Sequence, residues 1–357
     1  MFLKYLYSLL AICLWMIVIY GFLMLPYFFK NTESEEKSLY VYTWAHRIDE
    51  GILRDFEKKT GIKVYLNYYE SNEELLTKLE MMPTAHCDIM LPSGYIIEPM
   101  IRAGLIKKLD KDRCPWINKI YPEFLHMYFD PNNEYSLPLY WDVFGIGYNK
   151  NIVGNRPITL DMIFDRQKVI GGQIAMTEDA RESIFLAASY LGLPLRNLSA
   201  QQLDQIYDLL RKQKEWVGSY TDSQQGYFLS SETFAVVVSD RETVCRKMLQ
   251  YDFIKFVLLP TGSMLRTDSV VISVHSKKDD MIYEFLEFLF SKQVLQHHCE
   301  KYCILPTTQE VLQSLDSKYI GVDNLYPGSD EFKKLIVFDH GLTQKEINDF
   351  WIKFKAS

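Results

Sequence analysis

The chain between Leu39 and Gly104 reads LYVYTWAHRIDEGILRDFEKKTGIKVYLNYYESNEELLTKLEMMPTAHCDIMLPSGYIIEPMIRAG. Short β-rich runs alternate in it with amphipathic segments, which predicts strands at 39–42, 62–69 and 87–91 and helices at 49–60, 71–82 and up to Gly104. Gly61 is placed to end the first helix, and Ser71 opens the second with a capping box. The alternation predicts an α/β fold in which helices cover both faces of a parallel sheet.

A second alternation follows a stretch at 135–148, which contains two extended runs with Trp141 and Asp142 between them. We interpret that stretch as a crossing from one domain to another. Beyond it the pattern predicts helices at 159–164, 180–191, 200–214 and 241–249, and strands at 173–176, 234–238, 256–259 and 268–274. Further helices are predicted at 281–290 and 344–355. With 357 residues, the chain is long enough for two domains.

Three polar or aromatic turns follow the strands of the first alternation, at 43–47, 67–72 and 92–95. In parallel sheets, ligands bind outside the carboxyl ends of the strands. We therefore expect these turns to border a binding site, with an ordinary surface loop as the other interpretation of each.

The composition restricts the kind of ligand. The net charge is −7 and the isoelectric point is about 5.6, so no basic surface is available to neutralise the phosphates of a nucleic acid. An acidic balance suits a cationic or neutral ligand. The sequence contains no glycine-rich phosphate loop, nucleophile elbow or metal-binding quartet, and we expect neither a cofactor nor catalysis.

The N-terminus is strongly apolar. No residue between Lys4 and Lys30 is charged, and this run is long enough to span a bilayer. Residues 21–29, GFLMLPYFF, offer no small-residue cleavage site for a signal peptidase. We therefore predict an uncleaved transmembrane anchor at 1–30 and a linker at 31–38, in an orientation that exports the bulk of the chain across the membrane.

Six cysteines give no tidy disulfide framework. With Cys13 in the apolar run, five remain, and an odd number cannot pair completely within one chain. The spacing of His297, His298, Cys299 and Cys303 is similar to that of a metal site, but no second ligand pair follows and the segment predicts an amphipathic helix. We expect no metal there.

Two carboxylates, Asp179 and Glu182, stand three residues apart at the start of a predicted helix. This spacing is typical of a capping box, in which Asp179 caps the helix and Glu182 bonds back to the cap backbone. The same spacing places both side chains on one helix face, where they could bind a cation together. The local sequence leaves both interpretations open.

Several motifs resemble one family in order and spacing. The most specific are YESNE at 69–73, FDPNN-x-YS at 129–136 and T-x-DARE at 177–182. From about Leu39 to its end, the chain is similar to the periplasmic spermidine/putrescine-binding proteins of ABC transporters.

The resemblance implies a two-lobed periplasmic-binding-protein fold, in which each lobe is a mixed sheet flanked by helices. On this basis we expect a first lobe at 39–142 and 269–306 and a second lobe at 143–268 and 307–357. It also implies a linear polyamine in the cleft, such as putrescine or spermidine, and ABC permease subunits as membrane partners. We expect a monomer. The resemblance places it on the periplasmic side of a bacterial inner membrane, tethered by the run at 1–30, or free in the periplasm if that run is cleaved.

The family's ligand-binding positions carry residues of the family's type in this chain. Such a ligand requires carboxylates for its ammonium groups and aromatic walls for its methylenes. The resemblance implies that Trp44 is a wall and that Ser93 and Tyr95 contact the ligand from the first lobe. It implies that the anionic partners are Asp179, Glu182 and Asp268.

The family's aromatic box is partly replaced. Where the family has a tyrosine, two tryptophans and another tyrosine, the matching residues here are Arg47, Ser239, Arg266 and Leu305. Val337 matches a glutamine on a looser alignment.

The two arginines allow two interpretations. In the first, they pair with Asp179, Glu182 or Asp268, which would weaken polyamine binding or shift the preference toward a ligand that carries its own carboxylate. In the second, they lie on the rim of the cleft and face solvent. We favour the rim for Arg47 and leave Arg266 open. In the rim arrangement, substitute walls would come from Tyr140, Asp142, Phe144 and Tyr227.

The function predicted from the sequence is therefore that of a substrate-binding component, which captures a polyamine and delivers it to an ABC importer. A membrane-anchored sensor or adaptor with the same fold is an alternative, as is a binding protein retuned to another cationic or zwitterionic ligand. An enzyme is disfavoured because Asp179 and Glu182 lie too close on one helix to act from opposite sides of a bond.

Overall fold

The structure, a computed structural model, describes residues 14–24, 37–81, 86–338 and 341–357. Residues 14–24 form a helix, α1. The predicted anchor at 1–30 and linker at 31–38 thus lie largely outside the described residues. Within the described part of the chain, no helix combines the length and apolar character needed to cross a membrane.

The described residues form strands in both predicted alternations. These strands are β1 Ser38–Thr43, β2 Lys63–Tyr68, β3 Ile89–Met90, β4 Ile106–Lys107, β5 Ser136–Asn149, β6 Ile174–Met176, β7 Val217–Tyr220, β8 Val236–Asp240, β9 Ile254–Leu258, β10 Leu265–Ser273 and β11 Leu305–Pro306.

Helices follow most of these strands. They are α2 Glu50–Thr60, α3 Asn72–Met81, α4 Ile97–Arg102, α5 Lys150–Val153, α6 Asp161–Phe164, α7 Ala180–Tyr190, α8 Ala200–Gln213, α9 Gln225–Ser230, α10 Arg241–Met248, α11 Asp279–Leu289, α12 Lys292–Tyr302, α13 Gln309–Ser314, α14 Ser317–Ile320, α15 Asp330–Lys333 and α16 Gln344–Ala356.

The strands lie in the order β2-β1-β3-β10-β5-β8-β6-β7, and β4, β9 and β11 pair beside this path. Strands β1, β2 and β3 are parallel, as are β6, β7 and β8, whereas β5 and β10 run antiparallel to their neighbours. The parallel sheet predicted from the alternation is therefore mixed, because two long strands cross it in the opposite direction.

The crossing at 135–148 is one continuous strand, not two extended runs. The first half of β5 pairs with β10 and β11, and its second half pairs with β8 and β9. Strand β10 accompanies it, with a shift of register between Asp268 and Ser269. These two strands connect the two lobes, and the lobe boundaries given above stay predictions.

Each half of the sheet carries its own hydrophobic core. Phe56, Leu75 and Ile89 belong to the first, and Phe185 and Val238 to the second. Helix α7 is buried over most of its length because it packs against the helices α6, α8 and α16 and belongs to the second core. Burying one side chain the size of phenylalanine stabilises the fold by about 1.5–3 kcal/mol, so α7 is held firmly at the site described next.

Helix ends follow the predicted chemistry. Gly61 ends α2 in the left-handed conformation, with φ of 74°, a conformation that costs glycine little. The two histidines of the segment whose spacing is similar to that of a metal site lie on α12, and both have other partners. His297 bonds to Asp49 at 2.7 Å, and His298 lies 2.6 Å from the hydroxyl of Tyr140. The five cysteines that the structure describes are buried and free.

Candidate functional site: the cleft between the lobes

The cleft is bordered by residues that follow the carboxyl ends of strands from both lobes. Trp44 follows β1, and Ser93 and Tyr95 follow β3. Asp179 follows β6 from the opposite side, while Asp268 lies within β10 at the crossing. The topology thus brings together residues that are far apart in sequence, as expected for an open sheet.

The three predicted turns of the first lobe contact one another. The ring of Trp44 lies 4.6 Å from that of Tyr69. The side chain of Asn72 donates to the hydroxyl of Tyr95 at 2.8 Å and accepts from the backbone N–H of Ser93 at 3.2 Å. These contacts form one aromatic and polar wall of the cleft.

Arg47 lies inside the cleft, so its predicted position on the rim is wrong. Its Nε donates to Asp268 Oδ2 at 2.6 Å, and its Nη1 reaches the two carboxylate oxygens of Glu242 at 2.8 and 2.9 Å. The Arg47 side chain is only 11% exposed. Burial acts to lower the pKa of Arg47, but Glu242 and Asp268 outweigh it and hold that pKa well above its ordinary value.

Asp268 is fully engaged by the protein itself. One carboxylate oxygen is bound to Arg47, and the other accepts from the hydroxyl of Ser93 at 3.2 Å. The two predicted ligand contacts Ser93 and Asp268 are therefore brought together, but Asp268 is also bound to an arginine side chain.

Arg266 also points into the cleft. Its Nη1 lies 2.5 Å from Glu182 Oε1, and its Nη2 lies 3.6 Å from Asp240. Burial acts to lower the pKa of Arg266, and the attraction of Glu182 and Asp240 raises it further than burial lowers it. Of the two interpretations of the arginines, pairing with the acids is the one the structure contains.

Asp179 caps α7, as predicted. Its Oδ1 accepts from the backbone N–H groups of Arg181 at 2.7 Å and Glu182 at 3.1 Å. The reciprocal half of the capping box is wrong, because the backbone N–H of Asp179 donates to the hydroxyl of Thr177. The Glu182 side chain turns into the cleft instead.

A further acid, Asp222, is not among the residues predicted from the sequence. The hydroxyl oxygen of Thr177 lies 2.5 Å from Glu182 Oε2 and 2.7 Å from Asp222 Oδ1. One hydroxyl hydrogen cannot serve two carboxylates, so Glu182 or Asp222 carries a proton in this arrangement. Burial raises the pKa of Glu182 well above its ordinary value, against the opposing effect of Arg266, and burial raises the pKa of Asp222 to about 6.

Arg181 crosses from the second lobe to the first. Its Nη1 lies 3.1 Å from Glu73 Oε1, and its guanidinium lies 3.9 Å from the centre of the Tyr95 ring. Its other terminal nitrogen bonds to Gln344. Tyr95 is thus covered by an arginine, a geometry that stabilises a cation over an aromatic face.

The predicted substitute walls have other partners. Tyr140 is bonded to His298, Asp142 forms a 2.8 Å ion pair with Arg241, and Phe144 belongs to the second core. Tyr227 lies on α9 with 62% of its surface exposed. The role of these four residues as walls stays a prediction.

The other replaced positions are apolar or small. Leu305 is buried in β11 opposite Trp141, and Val337 packs beside the first core. The hydroxyl of Ser239 is buried without a hydrogen-bond partner among the described residues.

Comparison with known proteins identifies the family of this chain. The family described as bacterial extracellular solute-binding proteins matches residues 51–320. The chain belongs to that family.

The relatives of this solute-binding protein include transport proteins from several bacteria. It is 28% identical to the spermidine/putrescine-binding periplasmic protein of Salmonella typhimurium over 305 residues, which cover 84% of this chain and 86% of that one. It is 26% identical over 323 residues to a putrescine-binding periplasmic protein of Escherichia coli, covering 85% and 86%.

A solved structure confirms the two-lobed periplasmic-binding-protein fold. A putative spermidine/putrescine ABC transporter from Listeria monocytogenes superposes with a TM-score of 0.81 at 27% identity, covering 89% of this chain and 99% of that one. The resemblance inferred from YESNE, FDPNN-x-YS and T-x-DARE is confirmed as well.

The charge along the cleft of this solute-binding protein is uneven. Near Asp268 and Glu242, Arg47 balances the acids together with Arg246, which lies 3.6 Å from Glu242. At the end bordered by α7, Arg266 pairs with Glu182 and Asp240, and two further carboxyl groups, those of Asp179 and Asp222, lie close to Glu182. This second end can therefore hold an added cation, whereas the first end already contains one.

Proposed function

We propose that this protein is the substrate-binding component of an ABC importer and that it captures an amine-bearing cation of the polyamine type in the cleft. The observation that carries the proposal is the group of four carboxyl groups beside α7. Arg266 pairs with two of them, Glu182 and Asp240, and the nearby Arg181 is already paired with Glu73. The names of the relatives support the same class of ligand.

In this proposal the ammonium group of the ligand donates to Asp179 and Glu182. Charge-assisted bonds of this kind are about twice as strong as bonds between neutral groups. Trp44 and Tyr95 contact the methylene chain, and Ser93 and Asp268 border its far end. Where a closed cleft excludes water, the attraction between the ammonium group and each carboxylate is stronger than in solution.

The partners and location belong to the same proposal. The protein acts as a monomer on the periplasmic side of the membrane, tethered by the apolar run at 1–30, and passes its ligand to permease subunits. It binds and does not catalyse. Alkaline extraction of membranes tests the tether, because a tethered chain stays in the pellet and a cleaved chain does not.

Calorimetric titration of the purified full-length protein in detergent tests ligand capture. Putrescine, spermidine, agmatine and N-acetylputrescine are the ligands, and lysine and arginine are added as basic amino acids. We expect heat with at least one amine and its loss in Glu182→Gln, with Glu178→Gln as the exposed control. Absence of heat with every amine, in protein shown to be folded, would contradict the proposal.

A further inference from the structure

Arg47 makes the contacts that a ligand ammonium would make. It follows β1 in the first lobe, whereas Glu242 lies in the first turn of α10, beyond the crossing. Three short bonds connect its guanidinium to Glu242 and Asp268 across the cleft. The partners are 195 and 221 residues away in sequence, so the contact exists only because of the fold.

The acids around Arg47 carry no surplus of negative charge over the arginines that face them. Asp268 and Glu242 face Arg47, and Glu242 is also 3.6 Å from Arg246. Two carboxylates therefore face two guanidinium groups at this end. A second ammonium placed here would meet a balanced site and would have to displace Arg47.

The opposite end has such a surplus. Arg266 pairs with Glu182 and Asp240, and Asp179 and Asp222 lie close to Glu182. Glu182 or Asp222 carries a proton, since both contact the hydroxyl of Thr177, and Arg181 is paired with Glu73. Four carboxyl groups, less one proton and one arginine, leave about two negative charges. The site is thus asymmetric, with one anionic end and one neutral end.

We propose that Arg47 is a specificity-determining residue that takes the place of one ligand ammonium, so that the protein prefers an amine with a single ammonium group and an uncharged far end. This inference rests on the proposed function, because it concerns the ligand of the same cleft. The ammonium binds beside α7, and the uncharged end lies against Arg47, Trp44 and Tyr69.

The test compares putrescine with N-acetylputrescine, which has the same chain and one ammonium fewer. With the full-length protein, we expect N-acetylputrescine to bind at least ~10-fold more tightly. In Arg47→Gln the acids Asp268 and Glu242 are released, and we expect the preference to reverse by a similar factor. Arg47→Lys keeps a positive charge beside Asp268 and Glu242, and we expect it to keep the preference for N-acetylputrescine.

Two further variants complete the test. Arg54→Gln, on the exposed face of α2, is a matched control that leaves the ratio of the two affinities unchanged. The double variant Arg47→Gln, Glu242→Gln does not leave two unpaired acids, so it replaces the single variant if that variant fails to fold. We expect the same reversal of the preference between the two amines.

The outcomes separate the two proposals. If the wild-type protein binds putrescine as tightly as N-acetylputrescine, or if removing Arg47 leaves the ratio unchanged, the role of Arg47 is wrong while ligand capture stands. If neither the wild-type protein nor the variants bind any amine, the proposed function is wrong and the inference falls with it.

Discussion

Replacing Asp179 in two different ways separates its cap role from its ligand role. Asparagine keeps an oxygen at the position that accepts from the N–H groups of Arg181 and Glu182, whereas alanine removes it. Both substitutions remove the negative charge. Asp179→Asn therefore tests the charge, and Asp179→Ala tests the charge and the cap together.

The structure sets the expected magnitudes. Loss of an N-cap costs about 0.5–2 kcal/mol of stability, and the missing charge at the N-terminus of α7 costs about 0.3–1 kcal/mol. Asp179→Asn should thus lower the free energy of unfolding by less than about 1 kcal/mol, and Asp179→Ala by about 2 kcal/mol. A charge-assisted bond to a ligand ammonium contributes about 1.5–3 kcal/mol, so both variants should weaken binding about 10- to 100-fold.

Denaturant unfolding measures the first quantity and calorimetric titration with the best-bound amine measures the second. Glu178→Gln is the control, since Glu178 is exposed and pairs only with Lys355 among the contacts described. Wild-type affinity in Asp179→Asn, together with a stability loss confined to Asp179→Ala, would refute the ligand role and leave Asp179 as a cap alone.

Three other perturbations test the loop, the lobe contact and the pH response. Asp130 is buried and accepts four hydrogen bonds from residues 134–136. We therefore expect Asp130→Ala to lower the free energy of unfolding by about 3 kcal/mol. A loss below about 1 kcal/mol in denaturant titration would contradict this. Glu73→Gln removes the charge that faces Arg181 across the cleft, and small-angle X-ray scattering should then give a larger radius of gyration for the ligand-free protein, an expectation refuted by an unchanged radius. Burial lowers the pKa of His298 from 6.5 to about 4, so the unfolded chain binds the extra proton first and stability is lost as the pH falls from 6.5 toward 4. The loss is about 3 kcal/mol, and equal pH slopes for unfolding in the wild type and His298→Gln would rule this out.

The order of strands and helices could be predicted because it follows from the local periodicity of apolar residues. The alternation from Leu39 to Gly104 has apolar residues at helical or strand spacing, and Gly61 marks a helix end. The crossing strand β5 was harder to predict as one strand, because Trp141 and Asp142 interrupt its apolar pattern. In the fold the Asp142 carboxylate is paired with Arg241, which lets the strand run on.

The cleft was less predictable than the fold because its contacts join distant parts of the chain. A loop arginine such as Arg47 is usually solvated, and nothing near it in sequence indicates Glu242 or Asp268 as partners. Asp222 lies just beyond β7 and Asp240 ends β8. The rule that ligands bind at the carboxyl ends of strands, which was applied only to the first alternation, therefore also indicates these two acids. Their charge balance with Arg266 still depends on the folded geometry.

The register shift in β10 gives Asp268 a mechanical position as well as a chemical one. A bulge interrupts the regular pairing of two strands and increases their local twist. At this point the backbone N–H of Ser269 donates to the carbonyl of Pro92, beside β3, at 3.0 Å. The carboxylate that binds Arg47 therefore lies at the point where the pairing of a lobe-connecting strand is irregular, so a change in the twist of β10 would move Asp268 directly.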